Sequence, residues 1–333
     1  MTMRTSFRMI IFTSVFAVSV PTIAQDFHLS QYDMAPLYYN PAVTGMQFEQ
    51  DMKFRIAANY RSQWQKLQGK PYSSVCVGYD MPIDRFGAGI LIMDHIAGTS
   101  NFGTFQFLAS GAYQITDPES KKHFLSTGIQ IGFMQKRFNQ GNLLFESQYT
   151  SDGLDPNMDS GELLDRQSIV RLDANMGIFY KYTDPNKRFD PSVGFSVYHV
   201  NMPNESFTGQ MSRLPMRFNL ITNCDIHINE TFIITPNVLL MYQRKATEIN
   251  AGALMGYKFN ESNYTLLAGG SYRHKDAVII HAGIRQGNNV FRISYDLITS
   301  PLKNFGGVRG GFEMGVIYTG VGRGGGGVRS SMN

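Results

Sequence analysis

Apolar and polar residues alternate with a period of two along most of the chain. Between Ser168 and Tyr182, the residues Val170, Leu172, Ala174, Met176, Ile178 and Tyr180 fall on one face, while Arg171, Asp173, Asn175, Gly177 and Lys181 fall on the other. Phe54, Ile56, Ala58 and Tyr60 oppose Lys53, Arg55, Asn59 and Arg61 in the same way, and Phe218, Leu220, Thr222, Cys224 and Ile226 oppose Arg217, Asn219, Asn223, Asp225 and His227. This is the period of a strand with one apolar face. Fourteen strands are predicted, near 52–63, 73–81, 85–96, 102–116, 123–138, 168–183, 191–201, 214–229, 231–244, 248–259, 263–274, 276–286, 289–299 and 310–319. Many exceed the usual globular strand of about 5–6 residues and suit the roughly 9–11 residues of a tilted membrane strand.

A soluble sandwich also alternates, so the connections matter. After even-numbered strands they are short, as at Pro82–Asp84 and Gly287–Asn288; after odd-numbered strands several are long, as at 139–167 and 202–213. Short turns at one end and long loops at the other are the layout of an outer-membrane barrel, with the long loops facing outward. The expected fold class is therefore all-β: a transmembrane antiparallel β-barrel of about 14 strands, spanning residues 51–319. Residues 25–50 have no clean period and contain the turn-forming pairs Ala35–Pro36 and Asn40–Pro41, so they are expected to be a periplasmic arm or a plug. Residues 320–333 read as a flexible Gly-rich tail. The stretch Ala88–Ile96 is apolar on both faces until Asp94 and His95, which implies contact with an internal plug or a shifted register.

The amino terminus carries Arg4 and Arg8, an apolar run over 9–20, and small residues before Gln25. That is the layout of a cleavable signal peptide over residues 1–24, and the run is shorter than the roughly 20 apolar residues of a spanning helix. The expected location is the cell outer membrane, with lipid as one partner. Charged residues are only 17% of the 333, against 13% aromatic, and the net charge of +4 includes the two arginines of the leader. That charge is too small to argue for nucleic acid as a partner.

Chemistry finds little support. Gly320–Gly325 matches G-x-G-x-x-G but lies in a terminal glycine run with no helix behind it. No hydrolase signature is present, so no catalytic residue is expected; His227 and His281 fall on inward faces, where a polar lumen residue needs no special role. A lipid-modifying Ser/His enzyme stays open as a third reading. The loop residues Asp152, Asp155, Asp159 and Glu162 resemble a calcium loop in spacing, but Ser160 and Arg166 replace the glycine and glutamate such a loop needs, so a solvated acidic loop is expected and neither metal nor cofactor. Cys76 faces inward and Cys224 lies on the apolar face, too far apart for a disulfide. Trp64 is an aromatic-belt anchor or a partner contact.

Three stretches carry a family resemblance: Gln25-Asp-Phe-His-Leu-Ser-Gln31-Tyr32, then Ala35-Pro-Leu-Tyr-Tyr-Asn-Pro41-Ala42 with Thr44-Gly45, then Asn59-Tyr-Arg61 with Gln63-Trp64. Gly78-Tyr-Asp80 with Pro82, and Gly311-Phe-Glu313-Met-Gly315, add to it. Together they resemble the PorP/SprF family, while the loop at 139–167 matches nothing in the family pattern. The resemblance implies an outer-membrane barrel of the type IX secretion system of Bacteroidota, without catalysis, whose partners are other components of the system and a secreted cargo protein such as a gliding adhesin. Gln31, Tyr32, Asn40, Pro41, Arg61 and Trp64 are the expected partner contacts. Residues 25–50 would block the barrel and the outer loops would hold cargo. The alternative is a passive or plugged channel for small or apolar solutes.

Overall fold

The computed structural model describes residues 26–46, 52–63, 71–98, 101–117, 120, 122–139, 146–150, 153–155, 158, 166–208, 211–259, 262–301 and 310–322. Fourteen antiparallel strands close into a barrel: β1 (Met52–Gln63), β2 (Tyr72–Ile83), β3 (Phe86–Ala97), β4 (Phe102–Gln114), β5 (His123–Arg137), β8 (Ser168–Tyr182), β9 (Phe189–Tyr198), β10 (Arg217–His227), β11 (Phe232–Gln243), β12 (Ala246–Lys258), β13 (Tyr264–Arg273), β14 (Ala277–Gln286), β15 (Asn289–Ile298) and β16 (Gly311–Val321). Each pairs with its sequence neighbour in the barrel, and β1 closes on β16 in a register that sets Arg61 opposite Glu313. Between β5 and β8 a two-stranded hairpin, β6 (Tyr149–Thr150) with β7 (Gly153–Leu154), stands in the longest loop; the alternation gave no sign of it. The predicted strand ends fall within three residues of the observed ones, because a side-chain period of two tied to a buried face leaves little freedom of register.

The distribution of side chains is inverted relative to a soluble protein. Leu172 is 72% exposed and Ile129 57%, on the outside, while Arg61 and Arg217 are 1% exposed and Asp173 0%, on the inside. Such an exterior is stable only against lipid, and the closed ladder leaves no backbone edge unpaired there. Two rings of aromatics mark the limits of the apolar band. Tyr60, Tyr242, Tyr272 and Tyr295 stand near the long-loop end, and Phe86, Phe189, Tyr264 and Tyr318 near the short-turn end. Among the described residues no helix is long and apolar enough to cross a membrane; the strands do the crossing.

The interior is occupied by the chain's own amino-terminal part. Residues 26–46 lie within the barrel. They run from the long-loop end, where Asp26 meets His199 and Arg217, to the short-turn end, where Gly45 meets Asp80. The double-sided apolarity of β3 has the same cause: Leu91 and Met93 face inward and pack in one buried cluster with Leu29, Leu37, Tyr38, Tyr39, Cys76 and Leu108. The register of β3 is regular. Cys76 is buried inside and Cys224 lies on the lipid face, and both are free.

Candidate functional site

The plug is built from turns that proline punctuates. Pro36 starts a single helical turn, Pro36–Tyr39, and Pro41 starts a tighter one, Pro41–Val43. Proline fits the first helical position, where its missing N–H is not needed, and holds the residue before it extended. Asn40 joins the two turns: its backbone is extended and its side-chain oxygen accepts from the Ala42 N–H at 2.9 Å. Turns this short leave most of their carbonyls without intrahelical donors. The barrel wall supplies the donors. Gln130 and Tyr198 donate to the Leu37 carbonyl, Ser196 and Asn219 to that of Tyr39, and Ser126 to that of Ala42. This is why the segment shows no period: its backbone is satisfied by side chains from distant strands.

Close approach of plug and wall needs glycine on the wall. A Cβ added at Gly128 would collide with the Pro41 carbonyl and the Ala42 backbone. Gly45 is required for a second reason, since its φ of +61° belongs to the left-handed region that glycine enters freely.

Charged groups of the wall hold the plug at several heights. At the long-loop end Asp26 bonds His199 Nε2 at 2.7 Å and Arg217 at 3.0 Å, and the Arg217 guanidinium lies between the rings of Tyr38 and Tyr198, 4.7 and 4.3 Å from their centroids. Slightly deeper, Arg61 bridges Asp296 at 2.7 Å and Glu313 at 2.9 Å, and Arg273 donates to the same Asp296 at 2.6 Å. The plug enters this network through Ser30, whose hydroxyl bonds Asp296 and whose N–H bonds Glu313, and through the Gln31 N–H, which also bonds Glu313. At the short-turn end Arg55 pairs with Asp80 at 2.7 Å and donates to the Val43 carbonyl, while Asp80 accepts from the Gly45 N–H. Between them Arg292 pairs with Asp33. The wall arginines Arg61, Arg217, Arg273 and Arg292 and the acids Asp80, Asp296 and Glu313 are buried with partners and added hydrogen bonds, the condition under which buried ions are tolerated.

Asp26 and His199 lie outside the spanning strands, and their coupling has a pH consequence. Burial disfavours the charged imidazole, but Asp26 beside it and hydrogen bonds to Asp173 and Asp26 outweigh burial and raise His199 to about 9. Burial likewise opposes the Asp26 carboxylate, yet His199 and Arg217 hold it well below the usual carboxylate range. A raised histidine stabilises the folded state fully below its ordinary value and loses that contribution as pH climbs through about 9. The melting temperature of the detergent-solubilised barrel should therefore hold below about pH 6.5, fall as pH climbs from there to about 9, and level off beyond it. In His199→Gln it should start lower and lose that particular fall.

The structure brings five of the sequence-derived contact residues into the lumen. Gln31, Tyr32, Asn40, Pro41 and Arg61 are all buried, and their partners are the barrel wall or the plug itself; Tyr32, for instance, donates to Asn237 at 2.8 Å. As surfaces for a second protein they are closed off, because the wall already covers them. Trp64, Asp152, Asp159 and Glu162 lie outside the described residues, and Asp155 bonds the Gln148 carbonyl through its backbone. Among the described residues no group of three His, Cys, Asp or Glu could hold a metal ion. His227 meets Asp190 at 3.3 Å. His281 lies 3.2 Å from Ser271, but its other ring nitrogen has no partner and the adjoining cavity is only about 10 Å³. That is room for about one water, so the pair lacks both an orienting group and space for a substrate. Sequence reasoning singled out Arg61 but not the residues that answer it, Asp296, Glu313 and Arg273. Their inward parity and their places near the long-loop ends of β15, β16 and β13 were the available signal.

Comparison with known proteins agrees with this architecture. Residues 22–318 match the family described as type IX secretion system membrane protein PorP/SprF. No curated protein matches by sequence. Among solved structures, the CymD monoaromatic hydrocarbon channel superposes with a TM-score of 0.53 at 11% identity, over 87% of this chain and 93% of its own. The Pseudomonas putida toluene transporter TodX gives 0.50 at 13%, over 85% and 92%. At such identities the likeness is one of fold.

Proposed function

The chain belongs to the PorP/SprF family of type IX secretion system membrane proteins, and from that premise we propose that it is a closed outer-membrane barrel that assists export or surface attachment of a cargo protein. The observation that carries the reading is the plug. Residues 26–46 traverse the lumen and are bonded near both ends to charged residues of the wall, Arg217 at one end and the Arg55–Asp80 pair at the other. A lumen committed in this way serves as a rigid scaffold. The surfaces left for partners are the two rims: the long loops outside, suited to cargo, and the short turns beneath, suited to other components of the secretion system. The barrel needs no catalytic group for this role.

The competing reading is a channel for small or apolar solutes, which the fold of the hydrocarbon channels permits but does not require, since a fold hosts many functions. A deletion strain separates the two. Loss of one or a few proteins from the cell surface, with unchanged uptake of monoaromatic and other small solutes, is the expected result. Impaired uptake with a normal set of surface proteins would favour the channel. Affinity purification of the full-length protein from outer membranes should bring down the cargo and secretion components.

A further inference from the structure

At the long-loop end, beside the plug, the lumen keeps a cavity of about 300 Å³. Its walls include His28 of the plug, Glu248 of β12, Arg273 of β13, Asp276 of the following turn and Asp296 of β15. The rim is low on one side of it. The connection from β11 to β12 is only Arg244–Lys245, and that from β13 to β14 spans only residues 274–276, whereas β5 and β8 are joined by 138–167 and β9 and β10 by 199–216. Arg244 and Lys245 both have positive φ, 46° and 68°, as a tight two-residue hairpin demands, although neither is glycine. On its β12–β14 side the cavity is flanked by these short connections; on its other side Gln63, Ile298 and Gly311 line it at the roots of the connections 64–71 and 299–310.

Its chemistry is lopsided. Three carboxylates, Glu248, Asp276 and Asp296, line it against one guanidinium, Arg273, and two imidazoles, His28 and His274. The three nitrogens of Arg273 are all engaged, with Asp276, Ser30 and Asp296. Glu248 receives none of these bonds. Its side chain is only 9% exposed, one oxygen meets His28 Nδ1 at 3.0 Å, and the other, Oε1, is buried with no partner. His28 Nε2 is buried without a partner as well. An orphaned carboxylate oxygen in a polar cavity is costly, and a charged donor answers it best. A metal ion is not the answer, since no group of three ligating residues converges here among the described residues. The space, equal to the share of about ten waters, admits one long side chain. Arg244, Lys245 and Lys275 are exposed, so water and salt screen their charge, while Glu248 is sheltered.

We propose that this cavity receives a cationic side chain, lysine or arginine, from a polypeptide that docks on the long-loop face, with Glu248 as its counter-ion. The inference rests on the cargo-holding reading for the identity of the polypeptide, though not for the chemistry of the cavity. The test uses full-length protein in detergent micelles and two fluorescent peptides, Gly-Gly-Lys-Gly and its norleucine analogue, followed by anisotropy. The lysine peptide should bind at least tenfold more tightly, and Glu248→Gln, which keeps the shape and removes the charge, should abolish the difference. Should Glu248→Gln fail to assemble, Asp276→Asn at the exposed turn should narrow the difference. Equal binding of both peptides, or discrimination unchanged in the variant that assembles, would overturn the inference and leave a water-filled cavity. Lysine discrimination that depends on Glu248, together with normal surface display in a deletion strain, would uphold the site and reject the cargo reading instead.

Discussion

Arg61→Ala is expected to destabilise the barrel more than any other single substitution of a charged residue near its long-loop end. Arg61 is 1% exposed and holds two carboxylates at once, Asp296 at 2.7 Å and Glu313 at 2.9 Å. Removing it leaves Asp296 with Arg273 and Ser30, but leaves Glu313 with only the backbone N–H groups of Ser30 and Gln31 as donors. Breaking one side of a buried network costs about 3–5 kcal/mol, because the stranded charge stays buried. In a chain of this size that is a fall in melting temperature of roughly 10 °C. Arg61→Lys should fall between, since an ammonium keeps the charge but cannot fork to both carboxylates with the same geometry. Lys122→Ala is the control. Its pair with Asp184 at the short-turn end has the same length class, 3.0 Å, yet Lys122 is 54% exposed, and such pairs contribute little. Equal losses for Arg61→Ala and Lys122→Ala would show that the lumen network is not what fastens the plug.

The barrel was legible in the sequence because a membrane strand repeats one physical constraint at every second residue. In β8 the outward Leu172 and inward Asp173 obey it locally, without knowledge of any other strand. The plug was legible only as an absence of period. Its determinants are pairwise and distant: Leu37 is answered by Gln130 and Tyr198, and Asn40 by the Ile178 carbonyl. β3 gave the one sequence trace of those contacts, since inward Leu91 and Met93 have no reason to be apolar unless something apolar fills the lumen. The clamps were half-legible. Parity puts Arg61, Arg273, Asp296 and Glu313 on inward faces, but which of them meet depends on barrel closure, which joins the first strand to the last. Of the residues in the family-like motifs, Gln31, Asn40 and Arg61 bond their own barrel.

Deleting residues 26–46 is expected to turn a closed barrel into a conducting one. Small barrels of about eight strands are filled by their own side chains, and wider ones enclose free space unless something else fills it. With fourteen strands this barrel is of the wider kind, and what fills it is the buried cluster of Leu29, Leu37, Tyr38 and Tyr39 against Leu91, Leu108 and Leu239. Without the plug, the wall presents Ser126, Gln130, Ser196, Asn219 and the lumen arginines to solvent, a polar surface that water wets readily. In planar bilayers the full-length protein should show little conductance, and the deletion should raise single-channel conductance by about tenfold or more. The deletion strips plug partners from the arginines Arg55, Arg61, Arg217, Arg273 and Arg292 and from the acids Asp80, Glu248, Asp296 and Glu313 at once, so assembly is checked by the heat-dependent shift in gel mobility of a closed barrel. Where the deletion does not assemble, Arg61→Ala loosens the upper clamp in place and should give brief openings of intermediate size. Full conductance in the unaltered protein would mean that the plug leaves a path, and the solute-channel reading would then gain the advantage over cargo handling. A silent unaltered barrel alongside an open deletion variant would mean that the clamps seal the lumen, which is what a secretion scaffold needs if its membrane is to stay tight.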